Sequence, residues 1–104
     1  MDTQLVKYQV AIENFLKSYK NIKPSDWVNV KNQLIIDREN HHYQLVRVGW
    51  HNGQHIHYAV FHFDILDGRV LIQENRTDLP IVDELVSLGI NKKDISLAFQ
   101  EEPA

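Results

Sequence analysis

The stretch Trp50-His51-Asn52-Gly53-Gln54-His55-Ile56-His57 decides how this chain folds. Asn52-Gly53 is a strong hairpin signal, because both residues accept the positive φ that a two-residue turn demands. On its near side Tyr43–Trp50 reads as a strand, and on its far side Gln54–Leu66 reads as a longer one. Asp67-Gly68 is a second turn signal, leading into a strand over Arg69–Glu74. Upstream, Val28–Asp37 is a further strand centred on β-rich Leu34-Ile35-Ile36, set off by the polar loop Arg38–His41. Short connections pair consecutive strands antiparallel, so the middle of the chain is a four-stranded meander.

Both flanks change period. Over residues 2–20, Leu5, Tyr8, Ile12, Phe15, Leu16 and Tyr19 form one apolar stripe at helical spacing. Asp2 or Thr3 is placed to cap this helix, and Pro24 lies beyond its end. Downstream, Thr77-Asp78-Leu79-Pro80 opens a short helix with Asp78 as the candidate cap, Ile81, Leu85 and Leu88 as its stripe and Gly89 as its stop. Ile95–Phe99 reads as a short strand or an extended tail. The expected fold class is therefore α+β: a four-stranded antiparallel β-meander with an N-terminal helix and a short C-terminal helix packed on one face.

A two-residue turn at Asn52-Gly53 sets Trp50 opposite His55, Val48 opposite His57 and Val46 opposite Ala59. Opposed residues share a face. Uninterrupted alternation then puts Val46, Val48, Trp50, Ala59, Phe61, Phe63, Ile65, Val70 and Ile72 on the face that receives the helices. The other face carries Tyr43, Leu45, Arg47, Tyr58, Val60, His62, Asp64, Leu71 and Gln73. Its mixture of aromatic, aliphatic and charged groups suits a protein interface more than a plain solvated surface. Tyr43, Arg47, Tyr58, His62 and Asp64 are the candidate partner-binding or oligomer contacts, with a homodimer the favoured assembly.

Six histidines fall between positions 41 and 62. His55 and His57 share a strand face at a separation that suits metal ligation, but a zinc site needs three or four converging ligands. His51 points to the opposite face, and no carboxylate lies close in sequence. These two are weak metal candidates, and the expectation is no metal and no cofactor. His62 and Asp64 form a pair capable of acid–base work. No nucleophile, oxyanion arrangement or phosphate loop accompanies them, so a hydrogen-bonded interface pair is the preferred reading and no enzymatic role is expected.

The chain has 104 residues, enough for one domain spanning 1–104. Hydrophobic residues at 43% and charged residues at 24% exclude wholesale disorder. The 11 basic residues are scattered and outnumbered by 14 acidic ones, for a net charge of -3. Phosphate neutralisation needs clustered Lys and Arg, so the balance argues against direct DNA binding. No apolar run approaches the ~18–20 residues of a membrane span, and Met1-Asp2-Thr3-Gln4 does not begin a secretory signal. With zero cysteine, a cytoplasmic protein is expected.

The ordered motifs resemble the XisI-like family. His42-Tyr43-Gln44-Leu45-Val46-Arg47-Val48-Gly49-Trp50 is similar to that family's HYQL-x-x-x-GW stretch. His62-Phe63-Asp64-Ile65-Leu66-Asp67-Gly68-Arg69-Val70-Leu71-Ile72-Gln73 resembles its H-I-D-I-x-D-G-K-I-W-I-Q hairpin. Ile81-Val82-Asp83-Glu84-Leu85 and the run from Leu88 to Phe99 look like its I-A-x-E-L and GI-P-K-x-D-I-V-L-G-F segments. Asn91 stands where the family has Pro, Gln100 where it tends to have His, and its basic, aromatic C-terminal segment does not follow Ala104. If that segment contributes to partner binding, this copy is altered or specialised.

The resemblance implies an α+β fold. It implies a controlling factor for programmed excision of a DNA element in heterocyst-forming cyanobacteria. Such a factor acts with a XisH-like protein, while a separate recombinase exchanges the strands. No catalytic residues come with the family. A direct nucleic-acid-binding accessory protein, or a small His-based metal-binding or hydrolytic domain, is the alternative.

Overall fold

The computed structural model describes residues 2–100. Helix α1 spans Thr3–Tyr19 and is followed by β1 (Val30–Asp37), β2 (His42–His51), β3 (Gln54–Leu66) and β4 (Arg69–Asn75). Helix α2 (Ile81–Ser87), a 3-10 turn (Lys92–Asp94) and β5 (Ile95–Leu97) complete the order. The five strands lie in sequence order, with β5 parallel to β4 and every other pair antiparallel. The sheet thus has five strands where four were expected. The short α2 crossover returns the chain to the edge of β4, and Ile95–Leu97 adds a strand there.

Asp2 caps α1, its carboxylate accepting hydrogen bonds from the Gln4 and Leu5 backbone N–H groups at 3.0 and 3.3 Å. The expected stripe is the face that packs: Tyr8, Ile12, Phe15 and Leu16 are buried against the sheet. Asp78 does not cap α2. The residue at that cap is Pro80, which has no side chain able to accept. Instead Thr77 Oγ1 accepts from Leu79 N–H and Asn75 Oδ1 accepts from Thr77, so polar groups just upstream organise the entry. The exit matches the expected stop at Gly89, whose φ is +104. Ile90 N–H reaches the Leu85 carbonyl and Gly89 N–H the Val86 carbonyl, the paired bonds of a Schellman ending.

The Asn52-Gly53 turn and its register are as expected, with Trp50 opposite His55 and Val46 opposite Ala59. The expected assignment of faces fails beyond that point. A β-bulge shifts the β2–β3 register, so Val46 faces Ala59 but Leu45 faces Phe61. Val60 is the extra residue, and one inserted residue reverses alternation downstream. Its carbonyl accepts from Arg76 N–H at 2.9 Å. Tyr43, Leu45, Phe61 and Phe63 therefore lie together beneath the helices, all fully buried. Phe61 meets Phe15 and Tyr19 edge-on, with ring centroids 5.1 and 5.0 Å apart. Val46, Val48, Trp50 and Ala59 take the opposite, uncovered face. The Asp67-Gly68 turn sets Val70 opposite Ile65 and Ile72 opposite Phe63 in the core, and a second bulge at Gln73 shifts the pairing only beyond Ile72.

Candidate functional site

The uncovered face of the sheet is the site these elements build. Register places Gln33 and Ile35 of β1, His42, Gln44, Val46, Val48 and Trp50 of β2, and His57, Ala59, His62 and Asp64 of β3 on it. Leu71 of β4 lies opposite Asp64. Trp50 is 57% exposed and Ile35 47%, which leaves substantial apolar surface in water.

At one end of this face three side chains converge. The bulge that moves Tyr43 into the core also slides His42 opposite Asp64, where uninterrupted pairing set His62 near Tyr43. His42 Nδ1 and His62 Nε2 both donate to Asp64 Oδ1, at 2.7 and 2.9 Å. Gln73 Nε2 donates to the other carboxylate oxygen at 3.3 Å. The two rings stand nearly perpendicular, with centroids 6.4 Å apart. The hydrogen bond to Asp64 holds the His42 imidazole above its ordinary pKa, against the smaller opposing effect of burial.

The five expected contact residues do not share one surface. His62 and Asp64 lie on the uncovered face. Tyr43 is enclosed under α1, and burial, supplemented by the Glu13 charge, pushes its phenol up to about 12. Arg47 is buried on the helix side, where Nε donates to Asn32 Oδ1 at 3.0 Å and Nη2 to the Ile22 carbonyl at 3.0 Å. Half-buried Tyr58 accepts from Arg47 Nη1 at 3.1 Å. Arg47 therefore ties the loop after α1 to the sheet, because five donors on one rigid fork can serve several acceptors at once.

The remaining histidines separate. His51 stacks on Trp27 with centroids 4.9 Å apart, on the side opposite His55 and His57, as the alternation predicts. His55 and His57 form a stacked pair 6.4 Å apart beside Trp50, with no third ligand near them among the described residues. Sequence reading missed His42 as part of the site. Its only signal was residue type, since the bulge that brings it to Asp64 has no marker such as Gly.

Other polar groups brace the scaffold. Glu13 receives both Arg38 Nε and Nη2, at 2.9 and 2.8 Å, which pins α1 to the β1–β2 connection. The Arg38 hydrogen bond holds the Glu13 carboxyl below its usual range, with burial opposing. Tyr8 OH donates to Asp94 Oδ2 at 2.7 Å and so fastens α1 to the turn before β5.

The helix-backed five-stranded sheet with one open face defines a small α+β protein built to present that face. Among the described residues no helix is long and apolar enough to cross a membrane. The family model described as XisI protein matches residues 1–104, and the chain belongs to the XisI family. It is 42% identical to a XisI-like protein from Anabaena variabilis whose crystal structure superimposes with a TM-score of 0.85, covering 93% of this chain and 88% of that one. It is 31% identical to the fdxN element excision controlling factor XisI of the same organism, with a TM-score of 0.78 and coverage of 94% and 88%. No curated protein shows significant similarity to the chain.

Proposed function

We propose that this protein is a controlling factor for site-specific excision of a DNA element and acts by binding a XisH-type protein. The observation that carries the reading is whole-chain membership of the XisI family, together with structural likeness to an excision controlling factor. The net charge of -3 supports protein association over direct DNA contact, since DNA binding rests on clustered basic side chains. The uncovered sheet face is the binding surface, with Trp50 and Ile35 as apolar anchors and His62 and Asp64 as polar contacts. Exposed aromatic anchors of this kind carry much of the energy of protein interfaces. Tyr43, Arg47 and Tyr58 act from beneath by holding the sheet in shape. The partner competes for the same face with self-association, which we expect as a dimer.

The test is co-expression with the XisH-type protein of the same genome, followed by co-purification and titration calorimetry. Trp50→Ala and Ile35→Asp should each weaken the complex at least about ten-fold, the loss of one anchor. Their circular dichroism should match the parent. Full-strength binding by both variants would remove the face from the reading. Absence of any complex would remove the partner. A steep fall of DNA affinity with salt would replace both with direct DNA binding.

A further inference from the structure

We propose that His42, His62 and Asp64 form a binding site for a divalent transition-metal ion of the zinc type on the uncovered sheet face. The site rests on local geometry and stands independently of the excision reading.

One ligand atom from each residue lies within 4.8 Å of the other two. A tetrahedral zinc ion about 2.0–2.2 Å from its ligands requires them about 3.4 Å apart. The present spacings of 2.7 and 2.9 Å about Asp64 Oδ1 need only open slightly, and the third, already within 4.8 Å, need only adjust. Small side-chain rotations accomplish both, because His42 is 52% exposed and His62 28%. The backbone is already set. His42 and Asp64 are directly opposed across β2 and β3, and His62 and Asp64 are two apart on one strand. The donor set is two imidazoles and one carboxylate, which suits zinc and its neighbours and leaves a coordination position open to the solvent side.

The surroundings also fit a cation. Gln73 holds Asp64 Oδ2, which leaves Oδ1 directed at the rings and orients the carboxylate as outer groups do at metal centres. Acidic residues flank both histidines in register, with Asp37 opposite His42 and Glu74 opposite His62. Asp37 is held by Asn40, and Glu74 is paired with Arg76. No Lys or Arg makes an ion pair with Asp64 among the described residues. In the chain as it stands, two ring N–H groups occupy the carboxylate oxygen where the ion would bind. To bind, each ring presents that nitrogen unprotonated and carries its remaining hydrogen on the other nitrogen. The His55–His57 pair lacks both the third ligand and the oriented carboxylate, so it serves as the internal control.

The experiment uses untagged, metal-stripped protein titrated with zinc chloride by calorimetry, and cobalt(II) as a visible-absorption probe of ligand geometry. We expect one zinc ion per chain and cobalt bands of a low-symmetry nitrogen–oxygen site. His62→Ala and Asp64→Ala should each weaken zinc binding at least about ten-fold and bleach the cobalt bands. His42→Ala, at an exposed position whose loss leaves the core intact, should do the same with unchanged circular dichroism. His57→Ala should leave both signals unaltered. Absence of saturable zinc uptake by the parent would overturn the proposal. So would uptake that survives His42→Ala and His62→Ala, or uptake that is lost in His57→Ala.

Discussion

Replacing Gly49 with alanine tests how β1 is seated. A Cβ at this position would lie 2.1 Å from the Asn29 carbonyl oxygen and 2.6 Å from Val30 Cα, where ordinary contact begins at 3.4 Å. Both neighbours are backbone, so no rotamer change relieves the clash, and the start of β1 must retreat by on the order of 1 Å. That retreat gives up the Trp50 N–H bond to the Asn29 carbonyl, now 3.1 Å long, at about 1 kcal/mol. It also loosens the packing of fully buried Val30, for roughly another 1 kcal/mol. The backbone itself sits at φ +153, a region that costs a residue with a side chain on the order of 1–3 kcal/mol. The sum is about 3–5 kcal/mol, a large part of the ~5–15 kcal/mol that holds a typical domain. Urea denaturation should show the loss with an unchanged slope, and the melting temperature should fall by at least about 12 °C. Gly53→Ala is the control. Nothing lies within 4 Å of its added Cβ, so only its φ of +75 is penalised, at about 1–2 kcal/mol. A Gly49→Ala protein no less stable than Gly53→Ala would show that close approach is not why glycine stands beside Trp50.

Three further outcomes are expected. Phe61→Ala should cost about 3–5 kcal/mol by chemical denaturation, since it empties the centre of the aromatic cluster with Phe15 and Tyr19. Tyr8→Phe should cost roughly 1–3 kcal/mol and increase hydrogen exchange in the 3-10 turn, because the hydroxyl is the link to Asp94 and also accepts from Asn91 N–H. The Glu13–Arg38 pair contributes stability that is complete above the ordinary carboxyl value of 4.5 and fades as pH falls through the depressed folded value. Glu13→Gln should accordingly flatten the acid limb of the stability–pH curve, and an unchanged limb would remove the pair from acid unfolding.

The hairpin grammar was legible because it is local. Asn52-Gly53 and Asp67-Gly68 both form turns, with positive φ at all four residues. The α1 stripe was legible for the same reason, since helical spacing alone puts Tyr8, Ile12 and Phe15 on one side. The fifth strand is not legible in the sequence, because Ile95–Leu97 is too short to carry a pattern and its pairing with β4 depends on where α2 returns the chain. The candidate site was half legible. Their spacing of two makes His62 and Asp64 neighbours on β3, but His42 lies just outside the expected strand Tyr43–Trp50, and Arg47 falls on the helix side of the sheet instead of the open one.

What the sequence by itself determined is the two helices, the four meander strands, the turn register and the family, all carried by residues near one another in the chain or by ordered motifs. The tertiary structure alone decided which side chains meet on which face. The inserted Val60 makes that decision. In a strand of period two, one extra residue reverses every later side chain relative to the partner strand. Its placement answers to how Phe61 and Phe63 pack beneath α1, and that packing joins residues distant in sequence. The same shift that buries Tyr43 carries His42 across to Asp64.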